Sequence, residues 1–175
     1  MLNRIFISIL LILTFTKAKD AFSSERFLGI EVGYTTLESN NIIGRRENNS
    51  DIEYGVKIGA QNKEWRTTVD LNFFKDKKKT YQQTRLSFDY FVWNSLYETD
   101  DIIFKPYLGT HIGWMNYTDE AGNSEASGLL YGGQAGLAWN VLNEVDFDFS
   151  YKYSKTNIKE IETISGFILG LNYIY

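Results

Sequence analysis

The sequence predicts an all-β protein, an eight-stranded antiparallel up-and-down β-barrel that spans a membrane. Apolar and polar residues alternate in eight separate segments, and the connections between them alternate between long and short. The last segment ends the chain on an aromatic residue. Since successive side chains of a strand point to opposite faces, each segment has one apolar face and one polar or glycine-rich face.

The predicted strands have roughly the length that a tilted membrane strand needs, about 9–11 residues. They cover residues 26–36, 51–61, 65–74, 81–93, 103–116, 129–139, 145–154 and 160–175. Pro106 lies near the start of the fifth strand, where a missing N–H does least harm. A final strand this apolar would be an aggregation-prone edge if it stayed open, whereas closure of a barrel pairs both of its edges.

The end of the chain carries a distinct pattern: Gly170, then Tyr173 at the third-last position, then the terminal aromatic Tyr175. This pattern resembles the C-terminal assembly signal of bacterial outer-membrane barrels, with Tyr in place of the commoner Phe at the end. Over nearly all of its mature length the chain resembles the small OmpA/OmpX-type barrels. The resemblance implies an outer-membrane location and a structural or adhesive role. It also implies contacts with outer-membrane lipid and lipopolysaccharide, and with periplasmic chaperones and the barrel-assembly machinery.

The connections indicate the orientation in the membrane. The longer, polar connections are predicted to be extracellular loops, at residues 37–50, 75–80, 117–128 and 155–161. The others are predicted to be periplasmic turns, at residues 62–64, 94–102 and 140–144, although the second is long for a turn. An even number of strands then leaves both termini in the periplasm. The basic stretch 75–79 either contacts lipopolysaccharide phosphates or is simply solvated.

Large aromatic residues fall at the ends of the predicted strands. Trp65, Trp93 and Trp139 lie at the predicted periplasmic end with Tyr175, and Trp114 lies near the other end. Two such girdles are typical of the two interfaces of a membrane. The alternative, that tryptophan starts and ends strands in any sheet, stays open.

The N-terminus is predicted to be a signal peptide, residues 1–18, in which Arg4 precedes an apolar run over residues 5–15. That run is too short for a membrane-spanning helix. Residues 19–25 are then a short periplasmic segment and residues 26–175 the barrel. Without residues 1–18 the chain has 16 Lys and Arg against 22 Asp and Glu, a net charge of −6 that argues against nucleic-acid binding. The absence of cysteine excludes a disulfide framework, and no cofactor is expected.

The predicted inner face is rich in glycine and in charge. Glycines recur at a spacing of four, as Gly29/Gly33, Gly55/Gly59, Gly109/Gly113, Gly132/Gly136 and Gly166/Gly170. The interior of an eight-stranded barrel is just wide enough to be filled by side chains. The glycines therefore either make room for long charged neighbours, which we favour, or line a ligand cavity.

Centring each connection gives a trial register for the charged residues. It places Glu31 opposite Lys57, Asp70 opposite Arg85, and Asp89 opposite Lys105. Opposite charges on neighbouring strands attract, and buried charges need partners. These six residues are predicted to form a lumen ion network that plugs the barrel and makes it non-conducting.

His111 is the only histidine, and the trial register places it near Arg85 and Gln134. Some eight-stranded outer-membrane barrels are lipid A deacylases or acyltransferases that use His with Ser, which requires an orienting acid as well. No serine follows His111 two residues on, and Ser87 is a possible inner-face neighbour. We predict no catalytic and no metal site. The alternatives are a lipid A-modifying enzyme, a small pore, or a soluble periplasmic calyx with its apolar face inward. The bulk of that face disfavours the calyx.

Overall fold

The computed structural model describes residues 24–40, 46–76, 79–93, 97–98, 103–119, 124–142, 144–159 and 161–175. The predicted signal peptide, residues 1–18, lies outside the described residues, as do residues 19–23 of the segment after it. All regular structure in the described part is β-strand. No helix there is long and apolar enough to cross a membrane.

Within the described ranges, eight long strands and one two-residue strand follow one another. They are β1 (Glu25–Asn40), β2 (Arg46–Gln61), β3 (Trp65–Asp76), β4 (Lys79–Phe91), β5 (Tyr97–Glu98), β6 (Ile103–Asp119), β7 (Ser124–Leu142), β8 (Val145–Thr156) and β9 (Ile161–Ile174). Each of the eight predicted segments corresponds to one long strand, which confirms the predicted strand order. The short β5 pairs only with the start of β6.

The eight long strands form a closed antiparallel barrel. Neighbours in sequence pair with each other, β4 pairs with β6 across the short β5, and β1 pairs with β9 to close the ring. Arg26 and Tyr175 exchange backbone hydrogen bonds, with Tyr175 N donating to Arg26 O at 2.8 Å. Both ends of the described chain therefore lie at one end of the barrel, here called the terminal end. The opposite end is called the loop end.

Several strands extend further toward the loop end than predicted. β1 and β2 remain paired as far as Asn40 and Arg46, and β6 and β7 as far as Asp119 and Ser124. Side chains in these stretches still alternate between the two faces, but here the apolar residues point inward and the polar residues point outward. Leu37, for example, is buried inside the barrel beside the outward-facing Thr36. The polar outer face made these stretches look like loops in the sequence.

The polarity of the wall is that of a membrane barrel. Thirty large apolar or aromatic side chains are exposed, and 22 polar or charged side chains are buried among the described residues. A water-soluble barrel would bury its apolar face, whereas a membrane barrel turns it toward lipid and keeps a polar interior. The alternative of a soluble calyx with an inward apolar face is therefore wrong.

The interior becomes apolar at the loop end. Nine buried side chains pack together there and are called the loop-end cluster: Leu37, Phe74, Tyr81, Met115, Tyr117, Leu130, Ile158, Ile161 and Ile164. The Tyr81 ring stacks on Tyr117 with the ring centroids 5.0 Å apart. At this level the outer face is polar, with Asn116 and Ser127 paired one step beyond Trp114 and Leu129. The loop end is thus built like a soluble barrel with its own apolar core.

The connection between β8 and β9 contributes to this core. Asn157 exchanges hydrogen bonds with the backbone of Leu129, as Leu129 N donates to Asn157 Oδ1 at 2.8 Å and Asn157 N donates to Leu129 O at 3.2 Å. Ile161 N donates to Ile158 O at 3.1 Å. These bonds hold Ile158 inside the barrel, so part of the connection that was predicted to be an extracellular loop packs in the loop-end cluster.

Candidate functional site

In the middle of the lumen, nine charged side chains of the described residues form one connected set, here called the central network. Its members are Glu31, Glu53, Lys57, Arg66, Asp70, Arg85, Asp89, Asp148 and Lys152, and all are buried. Nine ion pairs of 2.6–3.8 Å link them. Buried charges are tolerated only when they are paired and hydrogen-bonded, which this arrangement provides for most of the charged atoms.

Arg85 is the branch point of the central network on the loop-end side. Its Nη2 atom lies 2.6 Å from Asp70, 3.1 Å from Glu53 and 3.4 Å from Glu31. Lys152 Nζ approaches two of the same carboxylates, at 3.1 Å from Glu31 and 3.6 Å from Asp70. Thr35 Oγ1 donates a hydrogen bond of 2.7 Å to Glu53.

Arg66 is the branch point on the terminal-end side. Its Nε pairs with Asp89 at 2.9 Å and its Nη1 with Asp148 at 2.6 Å. The guanidinium lies over the Tyr107 ring, 4.2 Å from the centroid, and Tyr107 Oη donates a 2.6 Å hydrogen bond to Asp148. Tyr107 in turn packs against the buried Phe91.

The structure brings together five of the six residues predicted for the lumen network. Asp70 and Arg85 are direct register partners, as predicted. Glu31 and Lys57 are diagonal rather than opposite, because Glu31 pairs with Gly55 and Lys57 with Gly29, yet their side chains approach to 3.8 Å.

The predicted pairing of Asp89 with Lys105 is wrong. Asp89 lies opposite Gly109, and Lys105 lies opposite Ala138 on the other neighbouring strand. The connection contains β5, which pairs with Ile103 and Phe104, and centring the connection gave the wrong register. Lys105 instead lies near Phe91, with Nζ 5.8 Å from the ring centroid.

Four members of the central network were not predicted: Glu53, Arg66, Asp148 and Lys152. All four fall on inner-face positions of the alternating pattern. The alternating pattern therefore predicted their orientation but not their partners. Arg66 pairs with Asp89, its register partner on the adjacent β4. The partners of Glu53, Asp148 and Lys152 lie on strands that are not adjacent to theirs. Lys152 on β8, for example, reaches Glu31 on β1 although β9 lies between those strands.

The inner-face glycines make room for these side chains. A Cβ added at any of the ten predicted positions would come within 2.5 Å of another atom. At Gly109 it would meet the Asp89 carboxylate, at Gly55 the Asn72 amide, and at Gly136 the Tyr107 hydroxyl. The glycines thus serve packing of the lumen, and not a large ligand cavity.

His111 faces the lumen, where its Nε2 shares a 2.7 Å hydrogen bond with Ser154 Oγ. Its register partners are Ser87 and Gly132, whereas the trial register had placed it near Arg85 and Gln134. The other ring nitrogen, Nδ1, has no hydrogen-bond partner among the described residues. Within the described part of the chain, no acidic group is therefore hydrogen-bonded to Nδ1 to orient this His–Ser pair. The described residues also include no group of three or more His, Asp or Glu placed to hold a metal ion.

The predicted membrane-facing residues all point outward. The exposed tryptophans are Trp65, Trp93, Trp114 and Trp139. Trp65 packs against Phe88 and Tyr90 on β4, with ring centroids 5.2 and 4.6 Å apart. In the predicted assembly signal, Tyr173 and Tyr175 are exposed, whereas Gly170 faces the lumen beside Lys57.

The geometry defines a closed eight-stranded barrel with an apolar outer face and a filled, ion-paired lumen. Among solved structures, the chain is similar to Neisserial surface protein A, at a TM-score of 0.68 and 18% identity, covering 87% of this chain and 99% of that one. It is also similar to outer membrane protein H from P. aeruginosa, at a TM-score of 0.61 and 20% identity over 86% and 99% of the two chains. No protein-family profile and no curated protein matches the sequence.

A third similar structure is Ail, the attachment invasion locus protein of Yersinia pestis, in complex with the heparin analogue sucrose octasulfate. Its TM-score is 0.52 at 16% identity, covering 88% of this chain and 100% of Ail. At these identities the likeness concerns the fold alone. The chain has the fold of the small eight-stranded outer-membrane barrels.

Proposed function

We propose that this chain is an integral protein of the bacterial outer membrane, with a lumen closed to ions and a structural or adhesive role. The observation that carries the proposal is the polarity of the wall, apolar outside and filled with paired charges inside. A continuous exposed apolar surface of this kind is stable only against lipid. The aromatic residues near both ends of this surface suit the two membrane interfaces.

In the proposed orientation the terminal end lies in the periplasm and the loop end outside the cell. The assembly machinery and periplasmic chaperones would then act on the chain during insertion, with Gly170, Tyr173 and Tyr175 as the assembly signal. Lys75 is exposed just beyond the outward-facing Phe73. We propose that it contacts lipopolysaccharide phosphates.

A small pore is disfavoured by the contents of the lumen. The central network fills its middle, and the loop-end cluster fills the end toward the outside. An ion crossing the barrel would have to break buried ion pairs and also enter a packed apolar region. Both steps are unfavourable, since an apolar region offers an ion no replacement for its water.

A lipid A-modifying activity is the second candidate, and the hydrogen bond between His111 and Ser154 is the observation that favours it. Nucleophilic catalysis requires such a pair, but also an acid that orients the histidine and access to the substrate. Here both residues are buried in the lumen, whereas an acyl chain of lipid A would lie on the outer face. We therefore propose a structural role for the pair.

Cell fractionation tests the proposed location. The mature protein is expected in the outer-membrane fraction, and its gel mobility is expected to change on heating as the barrel unfolds. Recovery in the soluble periplasm would contradict the proposal. The adhesive role is tested by expression in a non-adherent strain, where unchanged attachment to host cells and matrix would leave only a structural role.

A further inference from the structure

Among the described residues, the central network has one more negative than positive charge. Its ion pairs join five carboxylates, of Glu31, Glu53, Asp70, Asp89 and Asp148, to four cations, of Lys57, Arg66, Arg85 and Lys152. Every member is buried, so bulk water does not screen the excess charge. An unpaired charge in such a place is strongly destabilising unless something neutralises it.

A small cavity lies within the central network, and seven of the nine members line it. Two further features of the lining indicate what it would accept. Asp70 Oδ2 and Gln134 Oε1 are buried oxygens without a hydrogen-bond partner among the described residues. Gln134 has already used its amide nitrogen, which donates to Asp89. Both free atoms are acceptors, so the missing partner is a hydrogen-bond donor or a cation.

We propose that this cavity binds one small monovalent cation, such as Na⁺ or K⁺, which neutralises the central network. Carboxylate and amide oxygens are the ligands that hard cations prefer, and the hydroxyls of Thr68, Ser87 and Ser150 also line the cavity. A monovalent ion matches the single excess charge. A divalent ion would leave the network positive, and it would need more carboxylates than the free oxygens supply.

A bound proton, on a carboxylate of the central network or on His111, is the other way for this region to lose its excess negative charge. His111 shares its Nε2 hydrogen bond with Ser154, and its Nδ1 has no acceptor. A second ring proton would therefore gain no hydrogen bond. It would also place a further positive charge in a lumen that already holds the buried side chains of Arg85 and Lys152. A cation bound in the cavity gains free acceptors, Asp70 Oδ2 and Gln134 Oε1. The carboxylates that line the cavity also outnumber its cationic side chains, with Glu31, Asp70, Asp89 and Asp148 against Lys57, Arg66 and Lys152.

The test compares urea unfolding of the whole mature protein, folded in phosphatidylcholine vesicles, in NaCl, KCl and N-methyl-D-glucamine chloride at one ionic strength. Na⁺ or K⁺ is expected to raise the midpoint, increasingly with the logarithm of its concentration above the dissociation constant. Glu53→Gln removes the excess charge and should abolish this dependence. Glu144→Gln, at an exposed residue outside the central network, is the matched control and should retain it.

Crystals grown in RbCl give a second measurement that does not depend on variants. An anomalous peak between Asp70 Oδ2 and Gln134 Oε1 is expected. If the urea-unfolding midpoint is the same with every cation but changes with pH, the proposal is overturned in favour of a bound proton. If the midpoint depends on neither the cation nor the pH, and no anomalous peak is seen, the proposal is overturned in favour of a cavity that holds water alone. Conductance of the wild-type barrel is a separate result that bears on the proposed function.

Discussion

The ammonium group of Lys57 lies against Gly170: a Cβ on Gly170 would be 2.5 Å from Lys57 Nζ. Lys57 is on β2 and Gly170 on β9, with β1 between those two strands. Because Gly170 has no side chain, Lys57 can extend along the inner surface of the barrel and approach Asp148 on β8, at 3.7 Å. A glycine predicted to belong to the assembly signal therefore also has a packing role in the folded barrel.

Gly170→Ala is expected to destabilise the folded barrel. The added methyl group must displace Lys57 from its carboxylates, and overpacking of this kind costs about 1–3 kcal/mol. Urea unfolding in lipid vesicles measures the loss. In a Lys57→Ala background the same change should cost much less, because the clashing ammonium is gone. An equal cost in both backgrounds would show that Gly170 does not act through Lys57.

Arg66→Met is expected to be among the most damaging single changes in the lumen. It leaves Asp89 without a cation, although Gln134 still donates to that carboxylate. Breaking a buried pair by removing one partner costs about 3–5 kcal/mol. Adding Asp89→Asn should restore part of the loss, since it removes the stranded charge. The matched control is Lys63→Met in the exposed turn between β2 and β3, which should change stability by less than about 0.5 kcal/mol. If the double variant loses as much stability as the two single variants lose when added together, these side chains are solvated.

Single cysteines can map the membrane boundary cleanly, because the chain contains no cysteine. Ser127→Cys should react with a membrane-impermeant maleimide on intact cells, since Ser127 lies on the polar outer face of the loop end. Leu129→Cys, two residues along the same face, should stay unlabelled within lipid. Lys63→Cys, at the terminal end, should label only after the outer membrane is permeabilised. Labelling of Lys63→Cys on intact cells would reverse the proposed orientation.

His111→Ala is expected to leave lipid A unchanged. His111 and Ser154 are hydrogen-bonded but buried in the lumen, and no acid among the residues that the structure describes is hydrogen-bonded to the ring. Mass spectrometry of lipid A from cells that express the wild type, His111→Ala or neither protein makes the comparison. An acylation change that requires His111 would establish the enzyme instead of the structural role.

The sequence predicted the wall of the barrel well because alternation of side chains is a local property. It was enough to orient residues such as Leu169 outward and Asp70 inward. Strand ends were predicted less well, because the outer face turns polar beyond Tyr34 and Trp114 while the inner face turns apolar. Leu37 and Tyr117 were consequently assigned to loops, although they pack in the loop-end cluster.

The partners within the lumen could be predicted only in part. Asp70 and Arg85 lie on adjacent strands joined by a short connection, so their register followed from the sequence. Asp89 and Lys105 are joined by a longer connection whose internal strand β5 shifts the register. Contacts across the lumen, such as Lys152 with Glu31, depend on the closed shape of the barrel, which no local pattern contains.

Closure of the lumen is the central claim, and conductance tests it most directly. Purified wild-type protein would be inserted into planar lipid bilayers under an applied voltage, with an open outer-membrane porin as the positive control. The central network and the loop-end cluster both block the path, so we expect no steady conductance above the bare bilayer. Stable, reproducible open-channel steps from the wild-type barrel would contradict the account.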